Sequence, residues 1–93
     1  MGDTLRQTVV ISNPQGIHMR PMAAFVEAAN QFPCAVTVAR EGKPPANGRS
    51  MLALMGLVAD QGTELVIEVD GQCAAEAMRA LIEVLERNFD EEQ

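Results

Sequence analysis

Hydrophobic and polar positions follow two periods along this chain. Thr8-Val9-Val10-Ile11 is β-branched throughout and predicts a strand over residues 5–12, ending at the turn-forming run Asn13-Pro14-Gln15-Gly16. From Met19 the spacing becomes helical: Met22, Phe25, Val26, Ala29 and Phe32 fall along one face, and Pro33 marks the stop. A second strand over 34–40 places Val36 and Val38 on one side, Glu41-Gly42 turns the chain, and residues 43–47 return as a short strand. Pro44 and Pro45 confine that strand to a sheet edge. A short apolar helix is expected over 50–57, followed by a turn at Asp60-Gln61-Gly62. In the next strand Leu65, Ile67 and Val69 point one way and Val66 and Glu68 the other. The last helix is the most regular element, with Ala74, Ala77, Met78, Leu81, Ile82, Leu85 and Phe89 opposite Glu76, Arg79, Glu83, Glu86 and Arg87. Its Arg79–Glu83 and Glu83–Arg87 spacings allow ion pairs one helical turn apart.

The order is therefore βαββαβα. Strands with one apolar face and helices with one apolar stripe imply an α+β fold, an antiparallel sheet covered by helices on one side. The chain of 93 residues has room for one such domain, with Asp90, Glu91 and Glu92 as an acidic tail over about 90–93. With 47% hydrophobic and 22% charged residues, it has the composition of an ordinary globule.

Thirteen acids against seven bases give a net charge of −6, and Lys43 and the six scattered arginines form no basic run, so nucleic acid is not the expected partner. The longest apolar charge-free run, 50–59, is half of the ~20 residues a membrane span requires. Residues 1–7 lack the basic start and apolar run of a signal peptide, which places the protein in the cytoplasm. Cys34 and Cys73 are too far apart for a CxxC motif and are read as two small buried thiols; one histidine cannot build a histidine-rich metal site. No metal or cofactor is expected.

That histidine, His18, stands in Gly16-Ile17-His18-Met19-Arg20-Pro21, between a glycine-containing loop and the first helix. On one reading it only caps or packs. On the other it is a nucleophile: as N-cap it allows Ile17 and Met22 to staple the helix entry, and Pro21 falls in the first turn, where its missing N–H costs nothing. The positive end of the helix dipole disfavours imidazolium by about 0.3–1 kcal/mol. A neutral ring can attack phosphorus, and the first-turn amides and Arg20 would then face the anion formed. Because the sequence has no GxxxxGK[ST] phosphate loop and no spaced acidic metal set, a phosphoryl donor must come from a partner. The chain would be a carrier rather than a self-sufficient catalyst.

The second feature is Arg49-Ser50-Met51-Leu52-Ala53-Leu54-Met55. Ser50 suits an N-cap, although Ala53 stands where a capping box needs Glu or Gln. The helix carries more apolar residues than a narrow core stripe buries, so Met51, Leu52 and Met55 are expected to leave a patch for partners. A phosphate on Ser50 would be tolerated by the helix but would oppose an acidic partner.

These two motifs, in this order and register, closely resemble the HPr family, the histidine-containing phosphocarriers of the bacterial phosphotransferase system. The resemblance covers nearly the whole chain, including the Gln61-Gly62 turn. It implies an open-faced sandwich of four antiparallel strands with three helices on one face. It implies that His18 takes a phosphoryl group at Nδ1 from Enzyme I, charged by phosphoenolpyruvate, and passes it to Enzyme IIA proteins. Arg20 matches the family's phosphate-binding arginine, and Ser50 the serine modified by the ATP-dependent HPr kinase/phosphorylase. Met19, Met51, Leu52 and Met55 fall where members meet partners, and a monomer is expected. Met19 and Met22 replace small residues of the usual pattern, and Val58 stands where glycine commonly closes the short helix.

Overall fold

The computed structural model describes residues 3–12, 14, 16 and 19–91, with side chains as far as residue 87. The elements are β1 (Asp3–Val10), α1 (Met19–Ala29), β2 (Ala35–Ala39), β3 (Ala46–Asn47), α2 (Met51–Met55), β4 (Glu64–Gly71) and α3 (Ala74–Glu91). The order is the one the periodicities predict. The four strands form one antiparallel sheet in the order β1-β4-β2-β3.

β4 is the centre of that sheet because both of its faces carry the right residues. Its Leu65, Ile67 and Val69 are buried against the helices, beside Val36 and Val38 of β2. Alternate residues face solvent and pair across strands: Arg6 donates to Glu68 at 2.9 and 2.6 Å, and Thr4 donates to Asp70 at 2.8 Å. An exposed ion pair of this kind contributes at most about 1 kcal/mol, so the core holds the layers together. That core runs from Ile11 through Met22, Phe25 and Ala29 of α1 to Ala77, Leu81 and Leu85 of α3.

Several element ends differ from the sequence reading. β1 starts and stops two residues earlier than predicted, because its register is set by pairing Asp3 with Gly71 and Val10 with Glu64. α1 closes at Ala29, and Gln31 and Phe32 donate to the carbonyls three residues back, tightening the chain into a turn before Pro33. The return strand shrinks to Ala46–Asn47 because Pro44 and Pro45 offer no N–H for a ladder. α3 stays helical through Glu91, into the stretch expected as an acidic tail; residues 92 and 93 lie outside the described residues, as do the side chain of Phe89 and those of the tail. Val84 is buried as well, because α1 lies alongside α3 and widens the stripe that α3 hides. Among the described residues, α3 does not close the Arg79–Glu83 and Glu83–Arg87 pairs.

The two cysteines overturn an expectation. Cys34 and Cys73 are joined in a disulfide, with Cα atoms 6.4 Å apart, and Cys73 is only partly buried. Gly71 turns the chain with φ +150° and has no side chain, so residue 73 is carried back over Cys34. A Cβ at position 71 would stand 3.0 Å from the Cys34 sulfur.

Candidate functional site

Between β1 and α1, residues 11, 12 and 16 are seated on the connection from α2 to β4. Ile11 donates to the Thr63 carbonyl at 3.0 Å and accepts from Gly62 N–H at 2.7 Å, while the Gln61 side chain donates to Ser12 O at 3.1 Å. Gly16 is buried at φ +73°, and a Cβ there would come within 2.6 Å of Ala59 O. Only glycine fits this close approach in a left-handed conformation. The chain is thus held against residues 59 and 60 two positions before His18.

His18 and Ile17 lie outside the described residues, so the imidazole and the Ile17–Met22 staple do too. The positions on the helical side are described. Met19 opens α1 with its side chain 63% exposed, and Arg20 follows, also exposed. Pro21 is fully buried in the first turn, with Met22 beneath it. The N–H of Met19 belongs to the first turn, whose amides find no acceptor within the helix itself. No acidic residue stands in that turn to compete for an anion.

Ser50 is where the capping rule puts it. Its backbone is extended, and its hydroxyl accepts a 3.1 Å hydrogen bond from Ala53 N–H at the start of α2. Nothing returns the favour from position 53, as the absent capping box implies. On the helix that follows, Leu52 is 81% and Met55 45% exposed. Met51 departs from the expected patch: it is half-buried against the core.

α2 closes earlier than expected, at Met55, and the chain then passes through Val58 at φ +49°. A β-branched residue in the left-handed region is strained, and the usual glycine would not be. Arg40 at the end of β2 offsets part of this by donating to Leu57 O at 3.2 Å and Val58 O at 2.8 Å. Val58 itself is 57% exposed and adds to the apolar surface of this segment.

Sequence reasoning missed the two arginines that hold α2 in place. Arg40 pins its C-terminal exit. Arg49 donates from Nη2 to the carbonyls of Phe32 and Cys34, anchoring the residue just before Ser50. Only the turn position of Arg40 and the proximity of Arg49 to Ser50 were visible beforehand. Among the described residues no group of three potential ligands is placed to hold a metal ion, and no helix is long and apolar enough to cross a membrane.

Three comparisons bear on this arrangement. The family model for the PTS HPr component phosphorylation site matches residues 5–87. The phosphocarrier protein HPr of Pseudomonas aeruginosa is 39% identical over 83 residues, 89% of this chain and 92% of that protein. The phosphocarrier protein NPr of Klebsiella oxytoca is 33% identical over 89 residues, 96% of this chain and 99% of the relative. Among solved structures, HPr of Thermoanaerobacter tengcongensis superposes with a TM-score of 0.86 at 32% identity, covering 96% of this chain and 99% of its own.

Proposed function

Because the chain belongs to the HPr family of phosphotransferase-system phosphocarriers, we propose that His18 accepts a phosphoryl group from Enzyme I and passes it to Enzyme IIA-type acceptors. Phosphoenolpyruvate is the ultimate donor. The observation that carries this reading is the phosphorylation-site model over residues 5–87, within which His18 is the only histidine of the chain. In each transfer the ring nitrogen, Nδ1 in the family, forms a bond to phosphorus as the donor's bond breaks with its electron pair. The first-turn amides of α1 and the Arg20 guanidinium take up the added charge. Unloading reverses these roles with the acceptor's nucleophile.

Around this chemistry, exposed Met19, Leu52 and Met55, with half-buried Met51 at their edge, supply the contact surface for Enzyme I and the acceptors. Methionine suits a surface that serves more than one partner, since its unbranched chain re-packs at little cost. The protein works as a monomer of one domain over 1–93, in the cytoplasm, without a cofactor.

A second reading is a regulatory module in carbon or nitrogen control, whose working state is phospho-Ser50 made by an HPr kinase/phosphorylase. It is favoured by the position of Ser50 at the mouth of α2, where a phosphate meets helix amides and alters the apolar surface beside it.

Intact-mass measurement with two donors separates the readings. With phosphoenolpyruvate and Enzyme I, the chain is expected to gain one acid-labile phosphoryl group, absent in His18→Ala. With ATP and the kinase, the regulatory reading requires an acid-stable group, absent in Ser50→Ala. Wild-type protein left unmodified by its cognate Enzyme I overturns the carrier reading.

A further inference from the structure

The disulfide links two parts of the fold that the sheet and helices already hold. Cys73 stands directly before α3 and supplies the carbonyl that accepts Ala77 N–H at 2.9 Å, so its sulfur is fastened to the first turn of that helix. Cys34 stands directly before β2 and is 2% exposed. The Cα separation of 6.4 Å lies inside the range that disulfides use. Cys34 is part of the buried core and Cys73 packs against it, but most of that core is apolar side chains of the sheet, α1 and α3. With most of the core supplied by other side chains, the state of this bond can vary while the sheet stays formed.

The two sulfurs differ in access. Cys73 is partly exposed, whereas Cys34 is sealed beneath Gly71. Of the two cysteines, Cys73 is therefore the one an outside thiolate can approach. The sealed cysteine is in turn wired to α2: its carbonyl and that of Phe32 receive the Arg49 guanidinium, and Ser50 follows as the N-cap.

We propose that Cys34 and Cys73 form a reversible thiol–disulfide site, reduced by a dithiol, whose state sets the firmness of the Arg49–Ser50 anchor. In the first step one thiolate of the reductant attacks the Cys73 sulfur; the Cys34–Cys73 bond breaks, and Cys34 leaves with the electron pair and takes a proton. In the second, the reductant's other thiol attacks its own sulfur in the mixed disulfide, releasing Cys73 as a thiol. The reductant ends as a cyclic or internal disulfide, two electrons and two protons having passed to the protein. Once the bond is gone, the segment bearing the Phe32 and Cys34 carbonyls is no longer tethered to α3, and Arg49 grips a looser support. The consequence is a more open N-terminus of α2, independent of whether His18 carries phosphate.

The test uses the full wild-type chain in buffers of graded reduced and oxidised dithiothreitol, quenched with N-ethylmaleimide and weighed intact. The expected result is one transition from no adduct to two, reversed when oxidised dithiothreitol is restored. Two adducts throughout, or none even in excess dithiol, overturn the proposal. Amide hydrogen exchange then compares the two states: Ala53 N–H, which donates to Ser50 Oγ, is expected to exchange at least about threefold faster when reduced, with the β4 amides of Leu65 and Ile67 unchanged. Equal rates at Ala53 overturn the coupling to α2. Cys73→Ser, at the less buried position, is expected to match the reduced state; exchange like the oxidised wild type counts against the mechanism.

Discussion

β4 and α2 are both rich in apolar residues and use them in opposite ways. In β4 the apolar set Leu65, Ile67 and Val69 is no more than 1% exposed, and each intervening position is polar or half-buried. In α2 one residue, Leu54, is sealed at 2%, while Leu52 beside it is 81% exposed. The strand spends its hydrophobicity on stability. The helix carries a surplus that the core has no room for, and that surplus is surface. On the proposed reading, β4 serves stability alone, while α2 adds a recognition surface to its one core residue, and substitutions can separate the two roles.

The largest effect is expected at the centre of the strand. Ile67→Ala removes a side chain with no exposed area, and a loss of about 3–5 kcal/mol in urea unfolding is expected from transfer plus cavity terms. Within α2, Leu54→Ala should cost about 2–4 kcal/mol for the same reason. A loss below 1 kcal/mol there would show that the helix contributes little to the core. Val58→Gly is expected to run the other way, raising stability by about 1 kcal/mol through relief of the left-handed valine. Smallest on the same scale is Leu52→Ala, expected within about 0.5 kcal/mol of the parent, yet slowing transfer from Enzyme I in a single-turnover assay. A marked stability loss from Leu52→Ala, with transfer unchanged, would collapse the distinction between the two elements.

The element order was legible because each period is carried by several residues and errors average out. Element ends were less legible, since they answer to partners: β1 begins at Asp3 because Gly71 is there to pair with it. Val84 was hidden for the same reason, its burial being created by α1 rather than by the pattern of α3. Ser50 as an N-cap was readable, because a capping hydroxyl acts over three residues. The Cys34–Cys73 bond spans a separation of 39 residues and obeys no local spacing, so nothing along the chain announced it. His18 was read from its motif, which the family match over residues 5–87 includes.

The grip of Arg40 on the carbonyls of Leu57 and Val58 ties a surface position to a strand end eighteen residues away. Side chains 40 and 58 then become an epistatic pair: an arginine-to-alanine change is tolerated more easily where glycine already occupies the later position. Descendants of this chain would have to exchange the two in a preferred order, glycine first.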